Sequence, residues 1–197
     1  MRGLVLTGLI LTLSGCIGPG SRPSDLDNLC EMFSQREDWY EDALEAQERW
    51  GTPIQVPMSI IYQESSFRHD ARPPMRYFLF IPYGRASTAY GYPQAKDETW
   101  DEYISETGNW GADRDDFGDA IDFIAWYVNK TQRINGVSKW DAYNQYLAYH
   151  EGRGGFSRGS HQGKTWLINT ARVVDERAKR YSAQYRSCKD DLDSGWF

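Results

Sequence analysis

The chain has 197 residues, of which 40% are hydrophobic and 25% charged, a composition typical of one globular domain and not of a disordered protein. The formal net charge is −6 and no run of lysine or arginine exceeds two residues, so nucleic acid is not an expected partner. Aromatic residues make up 15% of the chain, which indicates either an aromatic core or a groove in which flat rings stack on sugars.

The first residues resemble a bacterial lipoprotein signal. Arg2 supplies a positive charge, an apolar run from Leu4 to Leu13 follows, and the sequence Leu-Ser-Gly-Cys ends at Cys16. The run is too short to span a bilayer as a helix. We expect residues 1–15 to be removed and Cys16 to carry a lipid that anchors the protein to a membrane; a plain secretory signal is the alternative. Because Ile17 follows the cysteine, we expect a periplasm-facing outer-membrane lipoprotein of the bacterial envelope.

Two further cysteines, Cys30 and Cys188, lie near the two ends of the remaining chain. Thiols in an oxidising compartment such as the periplasm tend to pair. We therefore expect a disulfide that closes a long loop and stabilises the fold mainly by restricting the unfolded chain. Two free thiols are the alternative.

The next segments predict a tether and two helices. Residues 16–29 are rich in Gly, Pro, Ser and Asp, which is typical of a flexible tether. A helical pattern then runs from Leu29 to Trp50 and ends at Gly-Thr-Pro. Pro57 suits the first turn of a second helix, which continues through Phe67.

Residues 68–93 predict a long connection. They are rich in Pro and Gly, and the aromatic run at Tyr77–Ile81 favours a short strand or hairpin. Apolar periodicity beyond it predicts four more helices, over residues 96–107, 115–131, 138–150 (capped by Ser138) and 164–185. No repeat or second domain is evident, so the predicted fold is mainly α, with a single domain over 30–188 and a tail over 189–197.

One carboxylate lies within the apolar face of the second helix. At about 100° per residue, Glu64 falls on the same face as Ile60 and Ile61. Burial without a cationic partner raises the pKa of a carboxyl group, because desolvation disfavours the charged form. A carboxyl that keeps its proton near neutral pH can act as a general acid. A carboxylate paired with Arg68 or Arg72 is the alternative.

Three segments carry a recognisable order of motifs, namely Glu64-Ser65-Ser66-Phe67, Gly91-Tyr92-Pro93-Gln94 and Ala148-Tyr149-His150-Glu151-Gly152. They resemble the Glu-Ser-x-Phe, Gly-Leu-Met-Gln and Ala-Tyr-Asn-Ala-Gly motifs of the lysozyme-like lytic transglycosylases of the soluble (SLT) type. The resemblance covers about two thirds of the chain. It implies a lysozyme-like single domain with a long aromatic and Pro-rich insertion after the catalytic helix.

The last two motifs depart from the family pattern. Tyr92 and Pro93 replace two central residues, and His150 stands where the family has asparagine. The insertion before Gly91 is also longer than is usual, and its aromatic residues could line or cover a glycan cleft or pack on the domain. The chain resembles a divergent branch of the family.

The resemblance implies an enzyme that acts on peptidoglycan glycan strands without a cofactor. It would cleave the β-1,4 bond between N-acetylmuramic acid and N-acetylglucosamine and leave a 1,6-anhydro-muramyl product. Glu64 would act first as the acid and then as the base, and Tyr149 would hydrogen-bond to it and orient it. Gln94 would contact the saccharide, while Ser65 would fix the helix or a peptide-bearing sugar. The predicted substrate-binding residues are Ser65, Gly91, Gln94, Tyr149 and His150.

Two other functions stay open at this point. If Asp97 or Glu98 faced the cleft and held a water molecule, the protein would be a hydrolytic muramidase. If the altered motifs had lost activity, it would be a non-catalytic peptidoglycan-binding or scaffold lipoprotein. A catalytic metal is not expected, because the three histidines lack metal-ligand spacing.

Overall fold

The computed structural model describes residues 22–195. The predicted signal and the lipid site at Cys16 lie outside the described residues. The elements in chain order are α1 (Leu29–Gln35), α2 (Glu37–Trp50), α3 (Gln55–Ser65), β1 (Met75–Phe78), β2 (Ile81–Arg85), α4 (Asp97–Thr107), α5 (Phe117–Asn135), α6 (Ala142–Glu151), α7 (Arg153–Ser157) and α8 (Thr165–Ser194). The fold is mainly α, as predicted.

The short helix α3 lies at the centre of the domain. It packs against α8, α5 and α6. Its residues from Gln55 to Ile61 are all buried, which explains a sequence with almost no polar face. Burial on all sides fixes α3 rigidly, and its carboxyl end is therefore a stable platform for a side chain.

Both ends of the described chain belong to the core, beyond the limits predicted for the domain. Leu26 is buried in the segment predicted as a tether, and its carbonyl accepts a hydrogen bond from the Tyr181 hydroxyl. Leu192 is buried in the segment predicted as a tail. Cys30 and Cys188 form the predicted disulfide between α1 and α8. A chain that starts at residue 22 keeps all of these contacts and the hydrophobic core that they enclose.

Two helix boundaries differ from the sequence prediction. The helix predicted over Leu29–Trp50 is broken at Arg36, whose backbone leaves the helical region. The break allows Trp39 to stack on Phe117 of α5 at a ring separation of 4.1 Å, so tertiary packing overrides local propensity. Similarly, the cap of α6 is Asp141, whose side chain accepts from the Asn144 amide, and not Ser138.

The predicted hairpin is present as the antiparallel pair β1–β2, joined by a two-residue turn at Leu79 and Phe80. Met75 pairs with Arg85 at its base and Phe78 pairs with Ile81 next to the turn. All but one of the strand residues are exposed, so the hairpin projects from the domain. Within residues 22–195, no helix combines the length and the apolarity needed to cross a membrane.

Candidate active site

Glu64 lies in the last turn of α3, where the chain leaves the core. Ser66 and Phe67, directly after the helix, both adopt left-handed backbone conformations, which residues other than glycine rarely do. Phe67 is held there because its ring is buried and stacks on Trp39 at 5.4 Å. The core contact of Phe67 therefore fixes the position at which Glu64 leaves the helix.

Glu64 opens onto a cleft of about 530 Å³. The cleft lies between the base of the hairpin on one side and helices α4, α5 and α6 on the other. Its lining combines aromatic rings with polar side chains: Glu64, Pro73, Ser87, Ala89, Gln94, Ala95, Lys96, Glu98, Thr99, Phe123, Tyr127, Tyr149, His150, Glu151 and Gly152. Such a mixture suits a saccharide, which presents both apolar ring faces and hydroxyl groups.

Burial raises the pKa of Glu64 to about 7. A hydrogen bond with the Tyr146 hydroxyl acts in the opposite direction and stabilises the ionised form. The alternative of a pair with Arg68 is not found, since the Arg68 Nε donates to the Ser65 carbonyl oxygen at 3.2 Å. Glu64 thus has the property expected of a general acid, namely a proton that stays bound close to neutral pH.

The phenol of Tyr149 does not make the predicted hydrogen bond to Glu64. Its hydroxyl donates instead to the Pro93 carbonyl oxygen at 2.6 Å, while its ring packs edge-on against Tyr127 at 5.0 Å. Burial and the nearby charge of Glu64 both raise the pKa of Tyr149. Tyr149 therefore lies beside Glu64 and joins α6 to the turn that carries the second motif.

That turn, Gly91–Gln94, is fastened to the rest of the domain by its backbone and by Gln94. The Gly91 amide donates to the Ala71 carbonyl oxygen at 3.0 Å. The Gln94 Nε2 donates to the carbonyl oxygens of Ala71 and Gly91, each at 2.8 Å. Because the amide nitrogen of Gln94 is engaged in this way, its Oε1 is the atom left to accept a hydrogen bond in the cleft.

The backbone conformation at position 91 requires a glycine, and Gly91 does not line the cleft. Its φ is +71°, and a Cβ at this position would lie 1.9 Å from the Arg114 carbonyl oxygen. We predict that Gly91→Ala lowers the free energy of unfolding by about 2–4 kcal/mol, because both the clash and the left-handed strain act on a rigid backbone. Urea unfolding measures this. Gly108→Ala is the control, since its φ is similar but no atom lies within 4 Å of the added Cβ; an equal loss in both variants would contradict the packing role.

The remaining two predicted binding residues differ in position. Ser65 is buried, and its hydroxyl donates to the Ile61 carbonyl oxygen, so it supports α3 and does not line the cleft. His150 lines the cleft, and its ring meets Trp166 edge-on at 5.1 Å. Its Nδ1 lies 3.1 Å from Glu151 Oε1.

Two other carboxylates, Glu98 and Glu151, line the cleft. Lys164, Ser160 and His150 all bond to Glu151 and lower its pKa to about 2, so Glu151 is ionised and fully engaged. Glu98 is exposed in the first turn of α4. Its neighbour Asp97 does not line the cleft but pairs with Arg114 at 2.8 Å.

A second cavity of about 530 Å³ lies between α2 and α5. It contains none of the predicted site residues and is lined mainly by acids, among them Asp42, Asp116 and Asp119. Burial and the neighbouring carboxylates raise the pKa of Asp42 to about 7. Across residues 22–195, no group of three or more His, Cys, Asp or Glu side chains has an arrangement suited to a metal ion.

Tyr146 contacts Glu64 at the site, although none of the three motifs includes it. It precedes Tyr149 by three residues on α6, and its ring is buried with only 4% of its surface exposed. The i, i+3 spacing places both phenols on one face of the helix. That spacing was the available signal, and it shows that α6 presents two phenols to Glu64 instead of one.

Comparison with known families agrees with this geometry. The sequence model of the transglycosylase SLT domain matches residues 4–188, which includes α1 to α7 and most of α8. No curated protein matches the chain significantly. The chain therefore belongs to the transglycosylase SLT domain family of lysozyme-like enzymes that act on the glycan of peptidoglycan.

Proposed function

We propose that the protein is a lytic transglycosylase that cleaves the β-1,4 bond between N-acetylmuramic acid and N-acetylglucosamine. The product would carry a 1,6-anhydro-muramyl end. The observation that carries the proposal is the position of Glu64, a carboxyl group with a pKa of about 7 that opens onto a cleft with aromatic walls. Membership of the family supports the same substrate class.

The proposed reaction uses Glu64 twice. In the first step the protonated carboxyl gives its proton to the glycosidic oxygen while the bond from C1 to that oxygen breaks. In the second step the C6 hydroxyl of the muramyl residue attacks C1, and the Glu64 carboxylate takes the hydroxyl proton. No water is consumed and Glu64 ends as it began. The acetamido group of the substrate can stabilise the positive charge at C1.

The other carboxylates of the cleft support a mechanism with one acid. Enzymes that retain configuration through a covalent intermediate need a free carboxylate as nucleophile close to the acid. Glu151 is a poor candidate for that role, because Lys164 and Ser160 both bind its carboxylate. Glu98 is the one candidate that could hold a water molecule for hydrolysis, since it lines the cleft and is exposed.

Three side chains of the cleft would bind the glycan. The Gln94 Oε1 would accept a hydrogen bond from a sugar hydroxyl, while the ring of Tyr149 would form part of the wall beside the reacting sugar. His150, with Trp166 against it, would extend this wall toward the cleft mouth. Each offers a flat or directional contact of the kind that fixes a sugar ring.

Digestion of purified sacculi in ¹⁸O-water distinguishes the three candidate functions. A transglycosylase releases anhydro-muropeptides that contain no solvent oxygen at C1. A muramidase releases reducing ends with one ¹⁸O, and in that case the Glu98→Gln variant loses the label and the activity together. Binding to sacculi without release of any fragment would support a non-catalytic scaffold. Either reducing ends with one ¹⁸O or binding without release would exclude the proposed transglycosylase reaction.

The hydrogen bond between Tyr146 and Glu64 gives a further prediction. Because this bond favours the ionised carboxylate, Tyr146→Phe should raise the pKa of Glu64 further. The alkaline limb of the kcat/KM profile should then move to higher pH. Tyr143→Phe, on the same helix, is the control and should leave the limb in place. A shift of the limb to lower pH in Tyr146→Phe would contradict the assignment.

We also propose that a lipid at Cys16 anchors the enzyme to the outer membrane on its periplasmic side. The signal sequence is the support for this, and globomycin sensitivity of processing in the producing cell would test it. Processing that is insensitive to globomycin, or a mature protein whose mass shows no lipid on Cys16, would contradict this proposal.

A further inference from the structure

The β1–β2 hairpin exposes a continuous apolar tip. Phe80 has 95% of its surface exposed and Leu79 has 78%, and both belong to the turn itself. Five further large hydrophobic residues of the hairpin are also exposed: Met75, Tyr77, Phe78, Ile81 and Tyr83. The residues from Met75 to Arg85 are not part of the cleft lining, so the cleft does not account for the exposed tip.

The turn is built against local preference. Two-residue hairpin turns favour Gly, Asn or Asp, because these residues tolerate positive φ. Here Leu79 adopts a φ of +55°, and the bulky Phe80 follows it. The conformation is strained for a leucine and leaves both side chains in water. Two unfavourable features at one exposed position indicate a ligand that covers the tip.

Both faces of the hairpin are apolar near the tip. The paired residues Phe78 and Ile81 share one face, and Tyr77 and Pro82, the next pair, share the opposite face. A groove on a protein or a sugar ring would cover one face and leave the other in water. A fluid hydrocarbon phase surrounds both faces at once, so the distribution of apolar side chains favours a bilayer.

The charge around the tip fits an anionic surface. From Ala71 to Lys96 the sequence contains four cations and no acid, although the whole chain has a net charge of −6. The cations are Arg72, Arg76, Arg85 and Lys96. Arg76 and Arg85 donate to the carbonyl oxygens of Ala86 and Pro73, and Arg72 lies over the Tyr90 ring. Across residues 22–195, no carboxylate forms an ion pair with these three arginines.

The dimensions of the hairpin agree with the depth of a bilayer interface. Leu79 is the third residue after Arg76, and at roughly 3.3 Å per residue the turn extends about 10 Å beyond the arginine. Side chains that lie in the interface reach about 5–10 Å into the boundary between headgroups and acyl chains. Arg76 and Arg85 would then lie at the level of the phosphates while Leu79 and Phe80 enter the acyl region.

We propose that the β1–β2 hairpin inserts its tip, Tyr77–Ile81, into the surface of a membrane that contains anionic phospholipids. The base of the hairpin contributes Pro73, Ser87 and Ala89 to the cleft. Insertion therefore holds the cleft mouth next to the bilayer and fixes its direction, independently of any lipid on Cys16. The proposal does not depend on the chemistry of Glu64.

Vesicle cosedimentation of the chain from residue 22 onward tests the proposal, because this form lacks the N-terminal segment and keeps the whole core. The vesicles are phosphatidylcholine with or without phosphatidylglycerol. The wild type should bind the anionic vesicles. The double variant Leu79→Ser, Phe80→Ser should reduce the partition coefficient on the order of a hundredfold, since burying each side chain contributes a factor of roughly ten or more.

Two further variants test whether an exposed aromatic residue elsewhere, or the positive charge near the tip, accounts for the binding. Trp110→Ser removes an aromatic side chain that is exposed elsewhere on the domain, and it should bind as the wild type does. Arg76→Gln should weaken binding by about fivefold on anionic vesicles only, and this effect should disappear at high salt. Circular dichroism would show that each variant is folded.

Three results would overturn the proposal. The first is that the wild type does not bind anionic vesicles, and the second is that the double variant binds them equally well. The third is a concentration-dependent dimer that forms without lipid and is lost in the double variant, because a second copy of the chain would then be what covers the tip.

Discussion

Glu64→Gln should reduce the release of glycan fragments by about 10²–10⁴-fold, the range that a general acid contributes. Glutamine keeps the shape of the side chain and its bond to Tyr146 but has no proton that it can give to the glycosidic oxygen. Glu176→Gln, an exposed change on α8, is the matched control and should keep full activity. If Glu64→Gln released glycan fragments at a rate within a few-fold of wild type, Glu64 would not be the general acid.

The same variant should be more stable than the wild type at alkaline pH. The unfolded carboxyl titrates near 4.5 and the folded one near 7, so the folded state binds more protons between these values and the wild type loses stability as the pH rises through them. At about 1.4 kcal/mol per pKa unit, a shift from 4.5 to about 7 limits the loss to about 3.5 kcal/mol. Urea unfolding of both proteins at pH 5 and pH 8 would show it, and a stable but inactive variant excludes misfolding as the cause of inactivity.

Removal of the Cys30–Cys188 disulfide should have the largest effect on stability. The bond joins residues that are 158 apart in sequence, and restriction of so long a loop in the unfolded chain contributes about 5 kcal/mol in the chain-entropy model. We expect Cys30→Ala with Cys188→Ala to lower the free energy of unfolding by about 3–5 kcal/mol.

A reducing agent provides the control for that measurement. It should destabilise the wild type by a similar amount and leave the double variant unchanged. The double variant should still cleave glycan at temperatures where it is folded, because the disulfide joins α1 to α8 and does not contact the cleft. A difference below about 1 kcal/mol between the two proteins would contradict the entropic account.

The sequence predicted Glu64 and its neighbourhood because helical periodicity and the three motifs agree. Periodicity placed the carboxyl on an apolar face, and the motifs indicated which distant segments meet it. The hydrogen bonds were less predictable. The i, i+3 spacing places Tyr146 and Tyr149 beside Glu64, and only the position of the Pro93 carbonyl in the fold decides that the Tyr149 hydroxyl donates to it and not to Glu64.

Local signals failed where tertiary contacts competed with them. Nothing in the residues around Arg36 interrupts a helix, and the break follows from the stack of Trp39 on Phe117, which is distant in sequence. Ser138 is a good capping residue, yet Asp141 takes that role three residues later. The hairpin was expected, but its turn of Leu79 and Phe80 lacks turn chemistry and could not be placed from sequence.

The pH dependence of kcat/KM for release of anhydro-muropeptides by the wild type tests the central claim most directly. If the protonated form of Glu64 is the acid, the rate should fall about tenfold per pH unit above about 7, where the free enzyme loses that proton. A rate that already falls at this slope above about pH 4.5, the ordinary range of a glutamate, would contradict the account.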